Sequence, residues 1–136
     1  MANDYNSALI EEFRANNGKL GGRWANSQLV LVNTIGANSG QVRTIPLVHL
    51  QQKDRIYIVG SAAGSEKHPA WYHNLATCPE IAVQVGADRF AARARTATPA
   101  EKPALWAMMA AIFPLYDKYQ ARAGRDIPLV IVERAG

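Results

Sequence analysis

The sequence predicts an α+β fold, an antiparallel six-stranded barrel with an N-terminal helix and further helices around its edge. Three observations predict it. Short runs rich in β-branched residues are joined mostly by hairpin-length turns, helical segments stand apart from those runs, and the strand-helix-strand alternation of a parallel sheet is missing. With 136 residues, 49 % hydrophobic and 19 % charged, the chain has the size and composition of one domain over 1–136, helix in 1–19 and barrel in 20–136.

The elements follow in order. From Asp4 to Asn17, Tyr5, Leu9 and Phe13 recur four apart with Ile10 alongside, the stripe of an amphipathic helix, and Gly18 is its stop. A loop with Gly21, Gly22 and Trp24 leads to a strand from Leu29 to Ile35. Gly36-Ala37-Asn38-Ser39-Gly40 turns the chain into a second strand, Val42 to Leu50, in which Pro46 predicts an edge or a bulge. Lys53-Asp54 turns it again into Arg55 to Gly60, whose Ile56, Ile58 and Val59 suit a largely buried position.

Ser61 to Gly64 breaks that strand, and Pro69 opens a short helix through Leu75 that Pro79 ends. Ile81 to Val85 and Arg89 to Ala97 alternate apolar with polar around Gly86-Ala87-Asp88, as an antiparallel hairpin does. Thr98-Pro99-Ala100-Glu101 is a capping box for a helix running to about Phe113, where Pro114 kinks or ends it. Helix resumes from Tyr116 to Ala123, Gly124 stops it, and Ile127 to Glu133 forms the last strand.

Composition excludes several classes of function. The longest apolar stretch, Ala104 to Tyr116, is too short to span a membrane. A net charge of +4, with no basic run interleaved with aromatics, does not suit nucleic acid; so mild an excess suits an anionic small molecule, an acidic membrane surface or no particular partner. Cys78 has no partner for a disulfide, and no charged-then-apolar export segment precedes residue 24, so the expected compartment is the cytoplasm. His68 and His73, five apart, are expected on different sides of a helix, which argues against a metal site. Ser39, Ser61 and Ser65 lie in no nucleophile elbow.

Two polar loops carry the positive signal. In Gly36 through Arg43, backbone N–H groups of a glycine-flanked turn can make an anion-binding concavity, to which Arg43 adds a bidentate clamp. Asn, Ser and Gly also fill such turns for conformational reasons alone. The second loop, Gly60 to Lys67, joins a buried strand to a helix N-terminus, where N–H groups and Lys67 can meet an anion or a ring carbonyl. Trp71, Tyr72, Tyr116 and Tyr119 can line a pocket for a flat ring; the alternative is that Trp71 is core and the tyrosines are packing.

Three blocks in order, Gly36-Ala37-Asn38-Ser39-Gly40-Gln41-Val42-Arg43-Thr44-Ile45-Pro46-Leu47, Ile58-Val59-Gly60-Ser61 and Glu66-Lys67-His68-Pro69-Ala70-Trp71-Tyr72-His73-Asn74-Leu75, resemble the deazaflavin-dependent nitroreductase family of actinobacteria. Pro114-Leu115-Tyr116, Tyr119 and Ile127-Pro128-Leu129-Val130 extend the resemblance over roughly residues 20 to 133. It implies a split β-barrel that binds coenzyme F420, an 8-hydroxy-5-deazaflavin. It further implies hydride transfer from the reduced cofactor to an electron-poor acceptor: a quinone, an activated alkene or a nitro compound.

Carried over by position, the resemblance gives Asn38, Ser39 and Arg43 to the cofactor's phosphate and acidic tail, with Thr44, Ile45 and Pro46 beside tail and ring. Val59, Gly60, Ser61, Ala62, Ala63 and Gly64 would cup the ring, with Lys67 nearby and Trp71 and Asn74 closing the site. Trp24, Phe113, Tyr116 and Tyr119 would face the acceptor, and Tyr119, with Tyr116 in reserve, would donate the proton.

This chain departs from the family where Ala37 and Asn38 replace the usual consecutive Arg and Lys, where Ala62 replaces a Lys of some members, and where Phe113 replaces a tyrosine. Those changes bear on cofactor affinity rather than on fold. Two alternatives stay open at this point: an FMN-dependent reductase of the same barrel type, or a non-catalytic protein that holds a cofactor, lipid or quinone. Oligomeric state and peripheral contact with the inner face of the membrane also stay open.

Overall fold

The computed structural model describes residues 4–21 and 29–135. Helix α1 (Asp4–Ala15) is followed by strands β1 (Leu29–Ile35), β2 (Val42–Val48), β3 (Leu50–Gln52) and β4 (Arg55–Val59). Then come helix α2 (Ala70–Thr77), the hairpin β5 (Glu80–Val85) and β6 (Asp88–Thr96), helices α3 (Lys102–Ile112) and α4 (Leu115–Ala123), and strand β7 (Leu129–Arg134). All pairings are antiparallel, in the order β2-β1-β5-β6-β7-β4-β3.

The described residues hold seven strands where six were expected, because the expected strand Val42 to Leu50 is two. His49 separates them. On one side of it Val42–Val48 pairs with β1, and on the other Leu50–Gln52 pairs with β4. The two ends of the sheet order are therefore one bent stretch of chain, and β2 also approaches β4, so the sheet must curl. Alternation of apolar residues cannot reveal such a change of partner. Pro46 sits opposite Leu31 on β2, at the end of the sheet order, the kind of edge strand in which proline is tolerated.

Curling gives each strand an inside and an outside, and the two-residue period fills both. Val30, Val32, Ile56, Ile58, Val130 and Val132 pack inward with Trp71 and Leu75 of α2. Tyr57, Val59, Leu129 and Ile131, the alternate residues, pack outward under Met109 of α3 and Tyr116 of α4. β4 and β7 are thus buried on both faces, which is why they read as nearly continuous apolar runs. Leu9 and Phe13 of α1 cover Leu29 and Leu31. Helix α1 ends at Ala15, and Gly18 N–H returns to Phe13 O at 2.8 Å; the side chain of Tyr5 lies outside the described residues.

The capping box closes as its residues require: Thr98 N–H donates to Glu101 Oε1 at 2.9 Å and Glu101 N–H to Thr98 Oγ1 at 3.2 Å. Glu101 also receives both Nη atoms of Arg95, at 2.8 and 2.9 Å, and that pairing chiefly holds its carboxyl at about 2. A carboxylate depressed in the folded state stabilises fully above its unfolded value near 4.5, and the stabilisation is lost as pH falls through about 2. Thr98→Ala should cost about 1 kcal/mol of stability, read as a lower urea midpoint with an unchanged slope.

Candidate active site

The turn Gly36–Gly40 is shaped largely by its own hydrogen bonds. Gly36 N–H donates to Gln41 O at 2.7 Å, Gly40 N–H to Gly36 O at 2.9 Å and Gln41 N–H to Ser39 Oγ at 3.2 Å. Asn74 fixes the turn from α2: its Oδ1 accepts Ala37 N–H at 3.0 Å, while its Nδ2 donates to Thr34 Oγ1 at 3.2 Å. Four N–H groups that an anion might have used are thereby spent, which leaves those of Asn38 and Ser39. Asn74→Ala should loosen turn against helix and cost about 1 to 2 kcal/mol, checked by urea unfolding.

A cleft of about 670 Å³ opens beside this turn. Asn38, Ser39, Arg43, Thr44, Ile45, Trp71 and Asn74 all line it, joined by Thr34, Gly36 and, from α1, Asn6, Ser7 and Ile10. Arg43 lies over Gly36, where an added Cβ would sit 2.5 Å from Ser39 Oγ and 3.7 Å from Arg43 Nε. Among the described residues the Arg43 guanidinium has no hydrogen-bond or ion-pair partner. An unpaired guanidinium in a polar cleft fits a phosphate or carboxylate.

The second loop does not line this cleft. Val59, Gly60 and Ser61 are buried, and Gly60 N–H is tied to Pro128 O at 2.9 Å. Ala62, Ala63 and Gly64 then take φ of +46°, +54° and +82°, a left-handed turn closed by Gly64 N–H to Ser61 O and Ser65 N–H to Ala62 O. Two alanines in that region are strained, and surrounding contacts must hold them. Gly64 is the required glycine: a Cβ there would come within 3.2 Å of the Tyr119 backbone. This approach seats the loop on α4. Lys67 is exposed, and among the described residues its side chain has no partner.

Above the loop, Phe113, Tyr116 and Tyr119 form an aromatic cluster, with ring centroids 4.8 Å apart for Phe113 and Tyr116 and 6.3 Å for Phe113 and Tyr119. Tyr116 is buried against Trp106 as well, and burial, with Tyr119 adding to it, pushes its hydroxyl up to about 12. Tyr119 is half-buried. The rings of His68 and His73 meet at 5.8 Å rather than diverging, because His68 precedes the first turn of α2. Trp24 lies outside the described residues.

Sequence reasoning missed two arginines. Arg122 Nη1 reaches Ala63 O at 3.4 Å, and Arg125 bonds to the carbonyls of Gly60, Ser61 and Ser65 and to His68 Nδ1. Their partners lie 57 to 65 residues away and are mostly backbone, so no spacing in the sequence announces them.

The sequence model of the F420H(2)-dependent quinone reductase family matches residues 8–134. The chain belongs to this family. An F420H(2)-dependent quinone reductase of Mycobacterium tuberculosis is 33 % identical over 126 residues, 90 % of this chain and 85 % of the relative. A solved F420-H2 dependent reductase, FDR-A, is 34 % identical with a TM-score of 0.72, over 78 % of this chain and 94 % of its own. A second structure, described as a domain-swapped dimer, is 31 % identical with a TM-score of 0.74, over 96 % and 98 % of the two chains.

Membership in the F420H(2)-dependent quinone reductase family makes this chain an oxidoreductase whose cofactor is coenzyme F420. The residues fit the group: an unpaired Arg43 in a polar cleft suits its anionic tail, and the left-handed loop keeps the Ala62 and Ala63 N–H groups out of its own bonds. No helix among the described residues is long and apolar enough to cross a membrane.

Proposed function

We propose that the two clusters divide the work of an F420H(2)-dependent reduction of a quinone. The Arg43 guanidinium in the cleft carries this reading, since among the described residues it has no hydrogen-bond or ion-pair partner. Arg43, with Asn38 and Ser39, holds the phosphate and acidic tail, and Thr44, Ile45, Pro46, Trp71 and Asn74 shape the way from tail to ring. Val59 through Gly64 cup the ring, and Lys67 adds charge at the rim. Reduced deazaflavin supplies a hydride when bound.

Tyr119 donates the proton to the acceptor oxygen that gains charge as the hydride arrives. Tyr119 is the half-buried tyrosine of the pair, whereas Tyr116 is buried between Trp106 and Phe113, and burial pushes its hydroxyl up to about 12. Phe113 faces the acceptor's apolar part. Quinones dissolve in lipid, and the exposed Ile112 and Leu115 flanking Pro114 give this end an apolar tip for peripheral membrane contact.

A binding titration tests the cofactor half directly. F420 should bind more tightly than FMN, because its tail offers several carboxylates to Arg43 and Lys67 where FMN ends at one phosphate. Equal or tighter binding of FMN would sink the tail assignment.

A further inference from the structure

Arg125 lies just beyond α4, after the Gly124 cap, and its whole fork is turned on the loop that follows β4. Nη2 donates to Gly60 O at 3.3 Å and to Ser61 O at 3.1 Å, Nε donates to Ser65 O at 3.0 Å, and Nη1 donates to His68 Nδ1 at 2.8 Å. A trans peptide points its N–H opposite to its C=O. With the Gly60 and Ser61 carbonyls drawn toward Arg125, the N–H groups of Ser61 and Ala62 are driven to the opposite face of the loop. Neither takes part in the loop's own hydrogen bonds. The same grip helps to hold Ala62 and Ala63 at their strained positive φ.

We propose that Arg125 is a positioning residue for the deazaflavin ring, aiming the Ser61 and Ala62 N–H groups at a ring carbonyl, and that neutral His68 is required for its grip. The proposal rests on the ring placement above and extends it to residues that do not touch the cofactor. Only an unprotonated Nδ1 accepts from a guanidinium, which never gives up its own protons, so the bound His68 is neutral with its proton on Nε2.

The groups around His68 make protonation costly. Arg125 faces Nδ1, the His73 ring lies 5.8 Å away and the Tyr72 ring 4.9 Å away; Lys102 and Asp126, of opposite charge, line the same cavity of about 700 Å³, and of these groups only Asp126 would favour the imidazolium. Burial first, then Arg125 and His73, hold His68 below its ordinary 6.5. The grip is therefore complete above the unfolded value of 6.5, and it is lost as pH falls through the lower folded one.

The experiment titrates the whole chain with F420 and with the tail-free deazaflavin chromophore, following ligand fluorescence and the visible spectrum at about pH 7.5 and about pH 5. Three variants are compared: Arg125→Lys, His68→Gln and Arg43→Ala. Lysine keeps the charge but cannot fork across three carbonyls, so Arg125→Lys should lose about tenfold in affinity for both ligands and blunt the spectral shift on binding. Arg43→Ala should lose affinity for F420 alone.

Glutamine accepts from Arg125 through Oε1 and does not titrate, so His68→Gln should bind as the unaltered protein does at neutral pH and hold that affinity better in acid. If Arg125→Lys binds the tail-free chromophore like the unaltered protein, Arg125 does not position the ring. If His68→Gln shares the unaltered acid profile, the role of His68 is overturned. Failure of the unaltered protein to bind F420 would overturn the cofactor reading and this proposal together.

Discussion

Tyr119→Phe should leave F420 bound and reduce turnover by about 100-fold to 10,000-fold, the usual cost of removing a general acid. The substitution keeps the ring that packs 6.3 Å from Phe113 and deletes only the hydroxyl. Packing loss is therefore separable from proton transfer: a packing effect would raise the acceptor KM, whereas loss of the acid lowers kcat and kcat/KM together. Tyr116→Phe should cost far less, since its hydroxyl is buried in the aromatic cluster and pushed up to about 12. The measurement is single-turnover oxidation of reduced F420 by a menaquinone analogue and by a nitroaromatic. Two Tyr→Phe variants as fast as the unaltered enzyme would assign the proton to water. An unaltered protein no faster than free cofactor would make the chain a binder.

Arg43→Ala should weaken F420 binding by about 1.5 to 3 kcal/mol, roughly 10- to 150-fold, without loss of fold. The fold is spared because Arg43 has no partner among the described residues for its removal to strand. The functional cost is large because this chain carries Ala37, Asn38 and Ala62 where relatives are expected to place cations, so little charge remains to compensate. Binding of the unaltered protein should weaken with added salt, and the variant should show a shallower dependence. An unchanged Kd would make Arg43 an ordinary strand residue and move the tail elsewhere.

Local chemistry made much of this molecule legible. Thr98 and Glu101 announce their capping box because all of its atoms lie within four residues, and Gly36 to Gly40 announces a hairpin for the same reason. The break at His49 was invisible, since both halves of the stretch are extended and only their distant partners differ. Among the site residues, those on the turn and α2 could be named from motif order, and Asn6, Ser7 and Ile10 could not. They reach the cleft because Leu9 and Phe13, on the same helix, are buried against β1. Arg125 left no trace at all. A guanidinium that binds backbone carbonyls needs no particular side chain opposite it.

The place of β7 in the sheet has a consequence for how the enzyme comes into being. Though it lies furthest along the described chain, Leu129–Arg134 is paired on both sides, with β6 and with β4. Before it docks, β2-β1-β5-β6 and β4-β3 are separate ladders with unsatisfied edges, so loop-closure entropy is met before the sheet is whole. The Gly60 anchor is part of the same event, because its acceptor, Pro128 O, immediately precedes β7. Completion of the sheet and anchoring of the loop that would receive the deazaflavin are thus coupled, and a chain in which β7 has not docked has an open sheet edge and lacks the Gly60 anchor.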